Sequence, residues 1–503
     1  MTAGIVVLSL AVLNSCKNET SKPSAEINSF QDTLTLVLIH CGRCHDVPDP
    51  SSLDRSTWDR TVLKNMGCRL GIQTDGYDPY RGLDMLEQSL LLQAAIYPLS
   101  PLIKPEQWQA ILSYYRDKAP DSLSVSSDSS FSLSQFIPIS KGDLIESPRV
   151  TTLFYDTIAR EIHVGLESGR IYTLTESWNV KHEMNIGTTP IQYIRDDQDY
   201  PYILAVGVMY PSEQKNGSLI RLIDGQPVNV LTHLHRPVWM TRMDLNQDRK
   251  ADFVISEFGY ETGKLSWFDA VNPILSASNI LFNGAGNIKT FNLDVNGDGI
   301  KDLVSLNAQG NEHVSAYLVD VHGNVEEKRL LQFPAIHGVC DLDIVDFNGD
   351  QRLDLVISNG DNADYTQITK PYHGIRIYLN QGNFNYEESV FIPYPGVLHT
   401  EISDFDQDGD LDIAAVSFFP GDPAYPFPGF KYFEQIAPGR FSGQTFKTSN
   451  QGKWMNMVKG DFDQDGDDDL LLGSFILNTN MVSGSREELK KNSLMFLENK
   501  KIK

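Results

Sequence analysis

The chain has 503 residues, which as a soft prior means roughly two to four domains or one large repeat fold. Hydrophobic residues make up 41% and charged residues 21%, a globular composition that excludes a disordered chain. The net charge of -24, from 42 Lys+Arg against 66 Asp+Glu, excludes a nucleic-acid backbone or an anionic membrane surface as main partner, because both need clustered positive charge. The first element is the apolar run Ile5 to Leu13. It is too short to span a bilayer and matches the apolar region of a signal peptide.

Leu13-Asn14-Ser15-Cys16 follows and resembles a bacterial lipobox. The resemblance implies that residues 1–15 are removed and that Cys16 is lipidated as the first mature residue. One departure is that Met1 to Gly4 carry no Lys or Arg. The alternative is a plain secretory signal with a chance cysteine. Residues 16–29 are polar and read as a flexible tether.

Residues 30–120 read as a small helical domain. Gln31 to His40 is a short apolar helix, followed by Cys41-Gly42-Arg43-Cys44-His45. The spacing C-x-x-C-H places two thiols for thioether bonds to haem and a histidine for its iron. A zinc ribbon would need a second paired ligand set, and the chain has no other C-x-x-C. A redox pair would follow a strand rather than a helix. Ser56 to Met66, Asp84 to Ala95 and Pro105 to Ala119 are further predicted helices, the last with Pro in its first turn. Met66 and Met85 are the candidates for a distal iron ligand. Met66 is favoured because Asn65-Met66-Gly67 reads as a helix end, whereas Met85 reads as helix interior and core. Residues 46–71, with Trp58, Val62-Leu63, Asn65-Met66-Gly67 and Arg69-Leu70-Gly71, resemble haem domains fused to repeat proteins in Gram-negative bacteria. Of the five cysteines, Cys68 and Cys340 remain and read as buried thiols, with pairing left open.

Residues 121–130 are a Ser- and Asp-rich linker. Five Asp-rich loops then recur 50, 52, 58 and 57 residues apart. Their positions 1, 3, 5 and 9 are Asp244, Asn246, Asp248, Asp252; Asp294, Asn296, Asp298, Asp302; Asp346, Asn348, Asp350, Asp354; Asp404, Asp406, Asp408, Asp412; and Asp461, Asp463, Asp465, Asp469. An apolar strand follows each loop. Oxygen ligands in a tight loop suit Ca²⁺. An EF-hand is excluded, because its twelfth position requires Glu and here holds Ile255, Ser305, Ile357, Ala415 or Leu472. The competing reading is a set of Asp-rich turns without metal. The copies at 404 and 461 are expected to bind best. The copy at 244, without Gly at position 6, is expected to bind worst.

This pattern resembles the FG-GAP/VCBS repeat family over roughly residues 140–500. The resemblance implies an integrin-type β-propeller with up to five Ca²⁺. Two degenerate copies, at Glu161-Ile-His-Val-Gly and Tyr202-Ile-Leu-Ala-Val-Gly, bring the expected number of four-stranded blades to seven. Their first ligand slots are read as Leu153 and Ile194. Ser134 to Ile139 resembles Ser389 to Tyr394, so residues 131–139 are expected to pair into the last blade and close the ring.

The fold expected is thus multidomain: a small all-α cytochrome c-like domain followed by an all-β seven-bladed propeller over 131–503. Innermost strands should turn Trp239/Thr241, Lys289/Phe291, Asp341/Asp343, His399/Glu401 and Asn456/Val458 to the central channel, which is either a ligand site or merely wet. Loops at 257–263, 359–374, 418–429 and 476–491 lie on the face away from the Asp turns. Asp361, Asp364, Tyr365, Tyr372, His373, Phe418, Phe419, Tyr425 and Phe427 in them suit a sugar or cationic peptide, or else pack blade against blade.

The resulting expectation is an outer-membrane lipoprotein, periplasmic or surface-facing, that touches the membrane only through its lipid. It would carry one covalent haem c, ligated by Cys41, Cys44, His45 and Met66, for electron transfer or redox sensing. The propeller would be the recognition platform, for a redox partner, a small substrate, a glycan or a protein, and not for nucleic acid. No catalytic residues are assigned. The alternatives are a dehydrogenase that passes electrons to the haem and a surface adhesion or glycan-binding protein with accessory haem.

Overall fold

The computed structural model describes residues 30–74, 76–124, 132–195, 200–270, 278–362, 368–419, 427–476 and 490–500. The expected signal peptide and tether, Cys16, residues 125–131 of the expected linker and closing segment, Asp364, Tyr365 and Tyr425 lie outside them, as do residues 477–489 of the last long loop.

The N-terminal part is helical. Its helices are α1 (Phe30–His40), α2 (Arg55–Thr57), α3 (Leu63–Arg69), α4 (Met85–Gln93) and α5 (Pro105–Lys118), with a π turn, Trp58–Val62, joining α2 to α3. Asp54 caps α2 by accepting from the Thr57 N–H, and Asp84 forms a capping box with Glu87 at the start of α4. Helix α1 packs against α5. Val37, Trp58, Leu63, Trp108, Ile111 and Tyr115 form the core between them. Among the described residues, no helix is long and apolar enough to cross a membrane.

From Phe136 onward the chain forms seven four-stranded antiparallel sheets arranged as a β-propeller. Blades 1 to 6 begin at Val150, Pro190, Pro237, Asn287, Val339 and Val397. Blade 7 comprises Trp454–Gly460, Asp469–Ser474, Leu494–Asn499 and, as its outer strand, Phe136–Ser140. Phe136 pairs with Asn499 and Ser140 with Met495, so the N-terminal strand closes the ring. The expected closure is present, shifted toward Ser140.

Burial explains the strand sequences. The second strands Asp252–Glu257, Asp302–Asn307, Asp354–Asn359, Asp412–Ser417 and Asp469–Ser474 are buried at every residue, because neighbouring blades cover both their faces. That is why each reads as an apolar run rather than an alternation. Outer strands such as Val180–Asn185 are largely exposed. All seven innermost strands carry a register shift between their first and third residues, for example Val339/Asp341 and Val397/His399. The recurring bulge sets which side chain points inward.

The helical part docks on the propeller face away from the Asp loops. Ile336 and Ile368 pack against its apolar core. Glu261, in the loop between Asp252–Glu257 and Lys264–Phe268, pairs with Arg69 and accepts the Tyr97 hydroxyl at 2.7 Å. Glu87 of α4 accepts the Ser212 hydroxyl at 2.6 Å and the Glu213 N–H at 2.9 Å.

Candidate functional site

The Cys41–His45 segment continues the last turn of α1, with Cys41 N–H bonded to the Val37 carbonyl at 2.8 Å. Burial, followed by the neighbouring Cys44, pushes the Cys41 thiol up to about 11. Cys44 is exposed, and both thiols are free. The His45 Nδ1 lies 2.9 Å from the Asp46 carbonyl. That contact favours the tautomer whose Nε2 is left to bind a metal. Met66 and Cys41 pack against the same apolar cluster. Two thiols and an oriented imidazole at the end of α1, with the Met66 thioether on the cluster that Cys41 joins, are a donor set that fits the haem implied by the spacing.

Two expectations here need correction. Met66 is not at a helix end, because α3 runs on to Arg69. Met85 is not in a helix interior or core: the Asp84 cap makes it the first residue of α4, and it is 88% exposed. Cys68 and Cys340 are the buried free thiols expected from the sequence and do not pair, and the Cys340 Sγ meets the carbonyls of Ser358 and Val397.

The five Asp loops share one geometry. Position 1 accepts the N–H of position 6, as in Arg249 to Asp244 at 2.8 Å and Gly409 to Asp404 at 3.0 Å. Position 3 accepts the N–H of position 5 in all five copies, from Asp248, Asp298, Asp350, Asp408 and Asp465. Position 9 is buried and ties two backbone segments together. Asp469, for instance, accepts the Phe462 N–H at 3.1 Å and the Asn499 N–H at 2.7 Å. Asp252, Asp302, Asp354 and Asp412 repeat this clamp.

Among the described residues, Asp404, Asp406, Asp412 and Asp461, Asp463, Asp469 each bring three carboxylate oxygens within 4.8 Å of one another. Burial holds Asp412 up to about 6 and Asp469 up to about 7. Burial and the neighbouring aspartates likewise raise Asp406 and Asp463. The copies at 294 and 346 differ, since the Asn296 and Asn348 amides donate to Asp298 and Asp350. A hard cation is the natural counter-charge for crowded carboxylate oxygens, so this donor set fits Ca²⁺.

Position 6 has a positive φ in every copy, including Arg249 at 71° and Gln351 at 69°. The loop at 346 thus also lacks the glycine, which the sequence reading attributed only to the loop at 244. Both loops keep the shared hydrogen bond at position 6. Arg249 is exposed. Arg249→Gly is therefore expected to stabilise the propeller by about 0.5–1 kcal/mol, read as a higher urea midpoint. A lowered midpoint would show that the arginine side chain contributes more than its strain costs.

The degenerate slots were misaligned. Leu153 pairs with Val164 and Ile194 with Tyr202, so both lie within strands. The first turn of blade 1 spans only residues 157–160, too short for the nine-residue loop. Its acid is Asp156, which accepts the Ile158 and Ala159 N–H groups and pairs with Arg195 of blade 2. An arginine supplies the positive charge there.

The innermost strands carry polar groups, and their partners lie on neighbouring blades. Asn456 donates to the Val150 carbonyl at 3.1 Å, and Trp239 to the Thr290 carbonyl at 3.0 Å. Thr241 bonds the Thr290 hydroxyl at 2.7 Å. Lys289 Nζ sits 2.8 Å from Asp341 and 3.3 Å from Asp343. His399 Nδ1 is 2.7 Å from the other Asp341 oxygen, and its Nε2 is 3.6 Å from Glu401. Asp343 accepts the Thr400 hydroxyl at 2.8 Å. Phe291 takes Lys289 over its ring at 5.3 Å, and Val458 packs on an apolar cluster. Polar residues here staple blade to blade.

The long loops do similar work. Tyr372 stacks on His337 and donates to the Ile336 carbonyl at 3.2 Å. His373 and Phe427 are buried, and Phe418 meets Phe419 edge-on. Asp361 bonds the Gly338 carbonyl through its N–H at 3.1 Å. The sequence reading missed Glu87, Glu213 and Glu261, which hold the helical part. The uneven length of the 257–263 loop was the only signal.

Residues 294–357 and 404–472 match the model of the FG-GAP-like repeat. The chain is therefore a seven-bladed β-propeller with FG-GAP-like repeats, an architecture that suggests a recognition or binding platform. No curated protein matches it. It is similar in fold to BBS1N in complex with ARL6DN, at 10% identity and a TM-score of 0.41, over 71% of this chain and 93% of that one. It is also similar to the Neurospora crassa Pan2 WD40 domain, at 11% identity and a TM-score of 0.43, over 74% and 96%. The Dos1 propeller is similar at 11% identity and a TM-score of 0.40, over 69% and 77%.

Proposed function

We propose that this chain is an exported haem c lipoprotein of a Gram-negative envelope. Its helical domain, residues 30–120, transfers electrons or senses redox state, and its propeller is the recognition platform. The observation that carries this reading is Cys41-x-x-Cys44-His45 closing α1 beside the cluster that holds Met66. Cys41 and Cys44 would hold the haem covalently, and His45 and Met66 would bind its iron. When bound, the group supplies one-electron transfer at its iron. The chain's own residues line one side of that site with an apolar cluster, orient the His45 ring through Asp46 and fix the domain to the propeller. Cys16 would carry the lipid.

The Asp loops would bind Ca²⁺ as structural clamps, with the copies at 404 and 461 tightest. Their ligand positions hold 17 aspartates, and five Ca²⁺ would bring the charge from -24 to about -14. A chelator is then expected to lower the melting temperature of the propeller, with Ca²⁺ restoring it. An unchanged melting temperature counts against the metal.

The deciding experiment is haem staining and an absorption spectrum of chain made with the c-type maturation machinery. One covalent haem per chain is expected, lost in Cys41→Ala/Cys44→Ala. Absence of covalent haem in the parent overturns the electron-transfer reading.

A further inference from the structure

The Met66 helix is held from outside its own domain. Arg69 lies one turn beyond Met66 on α3 and donates through Nε to the side-chain Oδ1 of Asn65 at 2.9 Å. The Asn65 amide in turn donates to the Tyr77 hydroxyl at 2.5 Å. The far end of Arg69 pairs with Glu261 of the propeller, and its guanidinium lies 5.5 Å from the Tyr97 ring centroid. Tyr97 donates to the same carboxylate. Two elements of the helical domain therefore converge on one propeller side chain.

Glu261 is itself fixed. Its N–H donates to Glu213 Oε1 at 2.7 Å, and the Thr262 hydroxyl donates to Glu213 Oε2 at 2.6 Å. Glu213 is fully buried, and its N–H donates to Glu87 of α4. The loop turns at Gly259, whose φ is +67°, and a Cβ there would lie 1.6 Å from the Thr262 carbonyl oxygen. The contacts thus run from α3 through the blade 3 loop and the blade 2 loop to α4, and Cys68 of α3 and Leu91 of α4 share one apolar cluster. Charge-assisted hydrogen bonds of this kind are short and directional, so they transmit position rather than only attraction.

We propose that Glu261 is a positioning residue. It sets the placement of α3, and with it Met66, and so couples the state of the blade 2 and blade 3 loops to the haem site. This rests on Met66 being an axial ligand. It makes the propeller more than a passive platform, because a partner that shifts the 258–263 loop shifts the ligand set of the iron.

The test uses full chain made with the c-type maturation machinery, comparing the parent with Glu261→Ala, Glu261→Gln and the control Glu327→Gln. Glu327 pairs with Arg329 on the outer strand of blade 4. Two readouts are taken on the haem: the weak ferric absorption band of methionine-ligated iron and the reduction potential. A third is hydrogen exchange of the Lys64–Arg69 amides, taken also on haem-free Cys41→Ala/Cys44→Ala chain. In Glu261→Ala the methionine band is expected to weaken and the potential to fall. Exchange is expected to rise about tenfold or more. Glu261→Gln, which keeps the acceptor for Tyr97, should lie between, and Glu327→Gln should match the parent. If the parent shows the methionine band and Glu261→Ala leaves band and potential unchanged, the positioning role is overturned. If the parent carries no haem, the electron-transfer reading fails on its own. Exchange in the haem-free chain then still decides whether Glu261 holds α3, and an unchanged rate overturns that.

Discussion

Asp341→Asn is expected to destabilise the propeller by about 3–5 kcal/mol, the cost of removing one partner from a buried ion pair. Asp341 is nearly inaccessible and uses both oxygens, one toward Lys289 and one toward His399 and the Thr400 N–H. It therefore joins the innermost strands of blades 4, 5 and 6. With Asn in its place, two cations stay buried against one remaining pair of acids, Asp343 and Glu401. The measurement is urea unfolding followed by tryptophan fluorescence. Asp341→Asn/Lys289→Met should recover part of the loss, because Lys289 then no longer stays buried without its 2.8 Å partner. A single-mutant loss under about 0.5 kcal/mol would mean that water in the channel already solvates these groups.

The same cluster has a pH signature. Burial alone would lower the His399 value, but the Asp341 carboxylate beside it outweighs burial and holds the imidazolium up to about 10. The folded value lies above the ordinary histidine value. This stabilisation is therefore complete below about pH 6.5 and is lost as pH rises toward 10. His399→Gln should flatten the stability profile over that window.

Phe136→Ala is expected to cost about 3–5 kcal/mol, the range for truncating a buried aromatic. Phe136 is 1% exposed, and its ring meets Phe405 at 5.5 Å and Tyr432 at 5.4 Å. It belongs to the strand that closes the ring, so its loss loosens the seam between blades 6 and 7. Ile137 on the same strand is 40% exposed, because alternate residues face opposite ways. Ile137→Ala should change stability by about 0.5 kcal/mol or less. Equal effects from the two would contradict the register Phe136 to Asn499.

The propeller was legible for a physical reason. A loop that gathers aspartates before a fully buried strand must repeat its spacing, and Asp404 to Asp412 or Asp461 to Asp469 show it without any alignment. The closing strand was legible because residues 134–139 must satisfy the same blade edge as 389–394. Blades 1 and 2 were counted correctly but misaligned. With no Asp loop to set the register, Leu153 and Ile194 looked like ligand slots when they are strand positions. Met85 went wrong because periodicity places a helix but a cap decides where it starts, and Asp84 puts Met85 in the exposed first turn.

Short-range chemistry was thus determined by the sequence itself: the C-x-x-C-H motif, the five Asp loops, the blade number and the order of the two parts. Their meaning lies in residues a few positions apart, which geometry along one chain segment constrains. The tertiary structure alone decided the rest. Lys289 meets Asp341 across 52 residues, and Arg69 meets Glu261 across 192. Nothing local marks such pairs, since a lysine or glutamate on a loop reads as solvated until folding removes its water. Docking gave Glu261 a partner, and blade packing gave the polar inner strands theirs.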